Sequence, residues 1–171
     1  MIDRNDRRRN MGSSKESDGV DAAAKSIYFF LTSELETSLE KERQFVQEKL
    51  GSSKTPEAII ERVIEHHGKD GYSRAMMIYR LTQLLGETMR DHVEDLIRSD
   101  QEGQALYGYV SLLYIDEDRA LESIDRICEK HLAEPTDFSS YFRRNFRCFL
   151  ERCGTPKCRS LATKIRQTLP N

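Results

Sequence analysis

The chain has 171 residues, 33% of them charged and 37% hydrophobic, with a formal net charge of −2. A chain of that length suits one domain able to bury roughly 70% of the surface its unfolded form exposes. Abundant charge with little Gly or Pro favours helices, and the longest apolar run, Ile27–Leu31, falls far short of the roughly 20 residues that cross a bilayer.

The near balance of charge conceals an asymmetry. Residues 141–171 hold eight Lys or Arg against one acid, Glu151, a local charge of +7. Residues 1–9 hold four Arg against two Asp, which leaves −11 on the remainder. An acidic body with a basic C-terminal segment is the most informative global feature. Cys148, Cys153 and Cys158 are crowded together and Cys128 stands apart, which is not the spacing of a disulfide framework. The Arg-rich N-terminus is followed by Gly, Ser, Lys and Asp rather than an apolar stretch, unlike a secretory signal. Both features point to an intracellular protein, cytoplasmic or nuclear.

In chain order, residues 1–20 lack hydrophobic periodicity and read as a disordered basic and polar arm. Residues 21–171 read as a single helical domain. Ser33-Glu34-Leu35-Glu36 has the form of a capping box, opening a helix that runs to Gly51. Thr55-Pro56 is a second start, with Thr as N-cap and Pro in the first turn. Ile59, Ile60, Val63, Ile64 and His67 then line one face up to Gly68. Tyr72 to Leu85 follows, closed by Gly86, and Met89, Val93, Leu96 and Ile97 make the next stripe.

Ser99-Asp100-Gln101-Glu102 resembles another capping box, leading into Ala105–Ile115. That segment is apolar nearly all round, as the buried centre of a bundle must be. Asp116 caps the next helix, which carries Leu121, Ile124, Ile127, Cys128 and His131. Pro135 breaks the chain, Thr136 or Asp137 caps again, and a helix runs to Cys153 before Gly154. A last helix spans Arg159 to Leu169. No segment alternates with period two, so no sheet is expected. The spacing predicts an all-α fold, a compact antiparallel bundle of seven or eight helices joined by short loops.

Two resemblances bear on these helices. Gly108 and Ala120 stand twelve apart as in a tetratricopeptide motif, with Ile124 on an apolar position. Ser111 occupies the motif's aromatic slot and no second copy occurs, so the match is one of chance within a helical hairpin. Ile59 to Leu96 resembles the later helices of death-fold domains of the pyrin type, in "ERVIEHHGKDG" and "MIYRLTQLLGE". That resemblance implies an interaction role.

No catalytic constellation stands out. Cys153, Cys158 and a histidine such as His131 would converge on zinc only through the Gly154-Thr155-Pro156 turn. The simpler reading makes Cys128 and Cys148 small core residues and places Cys153 and Cys158 near the surface, with no metal and no cofactor. A reactive cysteine lacks an identifiable base. His66 and His67 diverge by about 100° on a helix and suit its C-terminal end. Gly68-Lys69-Asp70-Gly71 lacks the spacing of a phosphate loop.

The sharper feature is Asp137 to Arg166. Phe138, Tyr141, Phe142, Phe146, Phe149, Leu150 and Cys153 share a stripe, while Arg143, Arg144, Arg147 and Arg152 lie mostly off it, followed by Lys157 and Arg159. Three uses fit: contacts to RNA or DNA phosphates, an anionic membrane surface, or core packing with the arginines facing the acidic body or an acidic partner. The expectation is a non-enzymatic scaffold or adaptor that docks a protein partner, with self-association a further use. A nucleic-acid-binding regulator using Arg143, Arg144, Arg147, Arg152, Lys157 and Arg159 is the alternative.

Overall fold

The computed structural model describes residues 4–33, 37–133 and 137–168, and the side chains of all of these except 4–16 and 137–142. Among the described residues every regular element is helical and no strand occurs, as the hydrophobic periodicity requires. The chain divides into two compact units, Met1–Met77 and Ile78–Asn171, where the sequence suggests one domain over 21–171.

The first unit contains α1 (Arg4–Thr32), α2 (Leu39–Gly51), α3 (Pro56–His67) and the start of α4 (Gly71–Leu85). Helix α1 begins inside the stretch expected to be an irregular arm, so the backbone is helical from Arg4 onward. Adding a residue to an existing helix costs little once a nucleus has formed. Residues 20–31 supply that nucleus, because Ala24 and Ile27 are buried. Helix α1 packs on α3 and, less extensively, on α2. The apolar face of α3 is Ile59, Ile60, Val63 and Ile64, all buried, and α2 contributes Val46 and Leu50. Phe30 stacks on Phe45 with ring centroids 4.1 Å apart, and Asp21 pairs with Arg62 at 2.9 Å at the rim.

Helix α2 opens later than the Ser33 capping box implies. Its N-cap is Ser38, whose hydroxyl accepts from the Lys41 amide at 3.3 Å, and residues 34–36 of the expected box lie outside the described residues. Thr55-Pro56 opens α3 as its sequence implies, and Gly68 follows its last turn.

The second unit holds the rest of α4, a 3₁₀ turn (Gly86–Met89), α5 (Arg90–Ile97), α6 (Glu102–Leu112), α7 (Glu117–Ala133), α8 (Asp137–Cys153) and α9 (Pro156–Thr168). Helix α6 has little amphipathic character, and Leu106, Tyr107, Val110 and Leu112 are all buried. A helix without a polar face must be covered on several sides, and α5, α7 and α8 all pack on it. A ring cluster joins α4 to α6 and α8: Tyr79 meets Phe149 edge-on at 5.1 Å, and Tyr107 meets Phe149 at 5.8 Å. The Gln83 amide donates to both the Tyr79 and Tyr114 hydroxyls at 3.0 Å, so the buried Tyr79 and half-buried Tyr114 phenols keep hydrogen-bond partners. Burial pushes the Tyr79 hydroxyl well above the ordinary phenol range.

Contact between α5 and α6 is the closest in this unit and depends on Gly108. A Cβ there would lie 2.7 Å from the Ile97 amide nitrogen and 2.8 Å from its Cγ1. The obstacle is backbone, which cannot swing aside as a flexible side chain can. Gly108→Ala is therefore expected to destabilise the protein by about 1–3 kcal/mol, although Ala is the better helix former by about 1 kcal/mol. Urea unfolding checks this as a lowered midpoint with unchanged slope.

Candidate interaction surface on helices α8 and α9

Helix α8 has two faces, and the boundary between them runs between Arg143 and Arg144. On the inner face Phe146 and Leu150 are fully buried and Arg143 is only 4% exposed. On the outer face Arg144, Cys148 and Arg152 are exposed at successive intervals of four residues, which keeps them on one side of a helix. Phe149 and Cys153 are half-buried between the two. Phe138, Tyr141 and Phe142 complete the expected stripe by sequence, but their side chains lie outside the described residues.

The six expected interaction residues thus separate. Arg143 points inward and donates from Nη1 to the Thr168 carbonyl of α9 at 2.9 Å. That contact satisfies a C-terminal helix carbonyl, so Arg143 braces α9 and is withdrawn from the interaction set. Its Nε is also buried and has no hydrogen-bond partner among the described residues. Arg147 is half-buried, with Nε 3.5 Å from Glu151 one turn on. Lys157 is exposed and pairs with Asp118 of α7 at 2.6 Å. Arg152 lies over the Phe149 ring at 5.9 Å, and Arg144 and Arg159 are exposed.

A further lysine follows the same rule as Lys157. Lys164 of α9 pairs with Asp125 at 2.7 Å and with Glu129 at 3.0 Å, both on α7. Part of the basic C-terminal segment therefore meets the acidic body, while Arg152 and Arg159 stand exposed on either side of the turn between α8 and α9, Arg144 lies about 12 Å back along the Arg152 face of α8, and Arg166 is exposed near the end of α9. Gly154 at that turn has φ 72°, a left-handed conformation that suits Gly after a helix end.

Helix α9 starts earlier than Arg159. Thr155 is its N-cap, with the hydroxyl accepting from the Cys158 amide at 3.1 Å, and Pro156 occupies the first turn. This is the Thr-Pro signal of residues 55–56 repeated, and it was available in the sequence. The earlier start carries Cys158 into the buried stripe with Leu161, Ala162 and Ile165. Cys158 is therefore fully buried and Cys148 exposed, the reverse of their expected places, whereas Cys128 is buried as expected.

Three side chains converge beneath the turn. The Cys153 and Cys158 thiols and a Glu117 carboxylate oxygen lie within 4.8 Å of one another. Cys158 Sγ is 3.6 Å from Glu117 Oε1, and the Thr155 hydroxyl donates to that same oxygen. Burial above all, together with the adjoining Cys153 thiol and Glu117 carboxylate, pushes the Cys158 thiol up to about 12. His131 is at the other end of α7, fourteen residues from Glu117 and so about 21 Å along the axis. The acid that does adjoin the two thiols is Glu117. An acid in the first turn after the Asp116 cap, whose carboxylate accepts from the Arg119 amide at 3.2 Å, was the available signal.

Set against protein-family models, curated proteins and solved structures, the chain matches none. The death-fold resemblance over residues 59–96 thus gains no family behind it, and a functional reading rests on the geometry of this chain. Among the described residues no helix is long and apolar enough to cross a membrane.

The division of the arginines is testable. Arg143→Gln should cost about 1–3 kcal/mol, because it removes a buried charged donor from a helix-end carbonyl. Arg144→Gln should stay within about 0.5 kcal/mol of the parent. Chemical denaturation of the two variants checks the contrast, and equal losses would contradict the placement of Arg143.

Proposed function

We propose that the chain is a non-enzymatic interaction module, a scaffold or adaptor, that docks an acidic protein partner through Arg144, Arg152 and Arg159. The single observation carrying this reading is the sorting of the basic segment. Lys157 and Lys164 are engaged by the acids of α7, whereas these three arginines are exposed, Arg152 and Arg159 on either side of the α8–α9 turn and Arg144 two turns back on the same side of α8 as Arg152. Guanidinium groups present a planar fork that matches carboxylates in pairs, and arginines are favoured where such recognition is needed.

Charge on the same helices favours a protein over a nucleic acid. Glu151 stands exposed beside Arg152, and Asp118 and Glu122 are exposed on α7. A phosphate backbone is a continuous line of negative charge, whereas each of these acids pairs with a neighbouring cation and breaks the basic surface into patches. An acidic protein surface can place its carboxylates to avoid the acids. With four free thiols, a reducing compartment inside the cell, cytoplasmic or nuclear, suits the chain.

The test is affinity capture from nuclease-treated lysate with the parent chain and with Arg144→Glu/Arg152→Glu/Arg159→Glu. Acidic proteins retained by the parent should fall at least about tenfold on the variant. An unchanged set on the variant would remove these arginines from the interface. Loss of every partner on nuclease treatment would transfer the surface to the nucleic-acid reading, and an unmodified second copy as sole partner would make it a self-association face.

A further inference from the structure

We propose that Cys153, Cys158 and Glu117 form a binding site for a thiophilic divalent cation, zinc foremost, with the fourth coordination position left to an exchangeable ligand. The site lies beneath the α8–α9 turn and stands independently of the docking reading.

Its donors come from three helix ends. Cys153 is the last residue of α8, Cys158 is in the first turn of α9, and Glu117 opens α7. The left-handed Gly154 turns the chain so that the two thiols, five positions apart, come within 4.8 Å of each other. In tetrahedral zinc coordination, sulfur at about 2.3 Å and carboxylate oxygen at about 2.0 Å from the metal place donor atoms roughly 3.5–3.8 Å apart. Cys158 Sγ and Glu117 Oε1 already stand at 3.6 Å. The complete trio, within 4.8 Å, needs to close by about 1 Å at most.

The surroundings suit a ligand set. The Thr155 hydroxyl donates to Glu117 Oε1 while accepting from the Cys158 amide, so one residue orients two of the three donors. Hydrogen bonds of that kind hold metal ligands in place and tune them. Cys158 is fully buried, whereas Cys153 and Glu117 are half-exposed, which leaves an entry path. On binding, the two thiols lose their protons to solvent, two S–Zn bonds and one O–Zn bond form, and no electrons are transferred. Two thiolates and one carboxylate around a divalent ion leave a local charge of −1. Three protein donors correspond to the sites that keep an open position rather than to closed four-ligand ones.

The probe is cobalt(II), added to the metal-free, reduced full-length chain. One equivalent should produce the thiolate-to-cobalt charge-transfer band and the visible bands of a tetrahedral ion, and zinc should abolish both. Cys153→Ser and Cys158→Ser should each remove the charge-transfer intensity of one sulfur and weaken binding at least about tenfold. Glu117→Gln should weaken it comparably while keeping the sulfur band. Thr155→Val should weaken it by about 10–100-fold, and Thr155→Ser should restore it. Cys148→Ser should leave the titration unchanged, and circular dichroism of each metal-free variant shows whether it folds. Absence of the charge-transfer band in the folded parent chain would overturn the proposal. So would a band that survives in a folded Cys158→Ser variant, or a reduced chain that takes up no metal yet closes a Cys153–Cys158 disulfide on adding peroxide.

Discussion

Helix α6 is the constraint on which the second unit depends. With no polar face to give to water, it is stable only where neighbours cover it, and α5, α7 and α8 do so. Gly108 lets α5 approach to backbone contact, a distance any side chain would prohibit. On its other sides α6 packs on α7, where Ala120 and Ile124 are fully buried, and on α8, where Phe146 and Leu150 are fully buried. Burial of such side chains contributes roughly 1.5–3 kcal/mol each for the larger ones. Placing α8 in this way also decides which of its arginines face in and which face out.

Electrostatics then acts on what the apolar packing has arranged. Exposed ion pairs contribute about 0–1 kcal/mol each, so the Lys157–Asp118 and Lys164–Asp125 pairs orient α9 on α7 more than they stabilise it. Arg119 makes a two-pronged contact with Glu94, linking α7 to α5, and this hydrogen bonding holds the Glu94 carboxyl below its usual range. Arg143 is different in kind. Its guanidinium is nearly buried and serves a backbone carbonyl, which makes it part of the frame. The same segment thus supplies a brace, two paired lysines and four exposed arginines, although all are cations in one short stretch.

What could be read in the sequence followed from period and punctuation. The stripe Ile59–Ile64, the all-round apolar character of Leu106–Leu113, and the stops at Gly68, Gly86 and Gly154 each reflect local chemistry, so they carry through to the structure. Errors arose where two local signals competed or where a long-range contact decided. Ser33 and Ser38 both suit an N-cap, and the helix takes the second. Arg143 and Arg144 are adjacent and chemically identical, so only the carbonyl of Thr168 distinguishes them. Convergence of Glu117 with Cys158 joins residues 41 positions apart, and no periodicity reports such a meeting. Of the candidate surface, the arginine-rich stretch was legible; its division, and the trio of donors below it, required the turn at Gly154.

The exposed arginines of α8 keep a fixed geometry only if α6, on which α8 packs, holds that helix in place, and native-state hydrogen exchange tests this most directly. If α6 anchors the unit, the amides of α6 and of residues 146–150 in α8 should be the slowest to exchange and should open together at a common free energy. Exchange of α8 through a separate, much easier opening, with α6 still protected, would contradict it, because the exposed arginines would then have no fixed geometry to present.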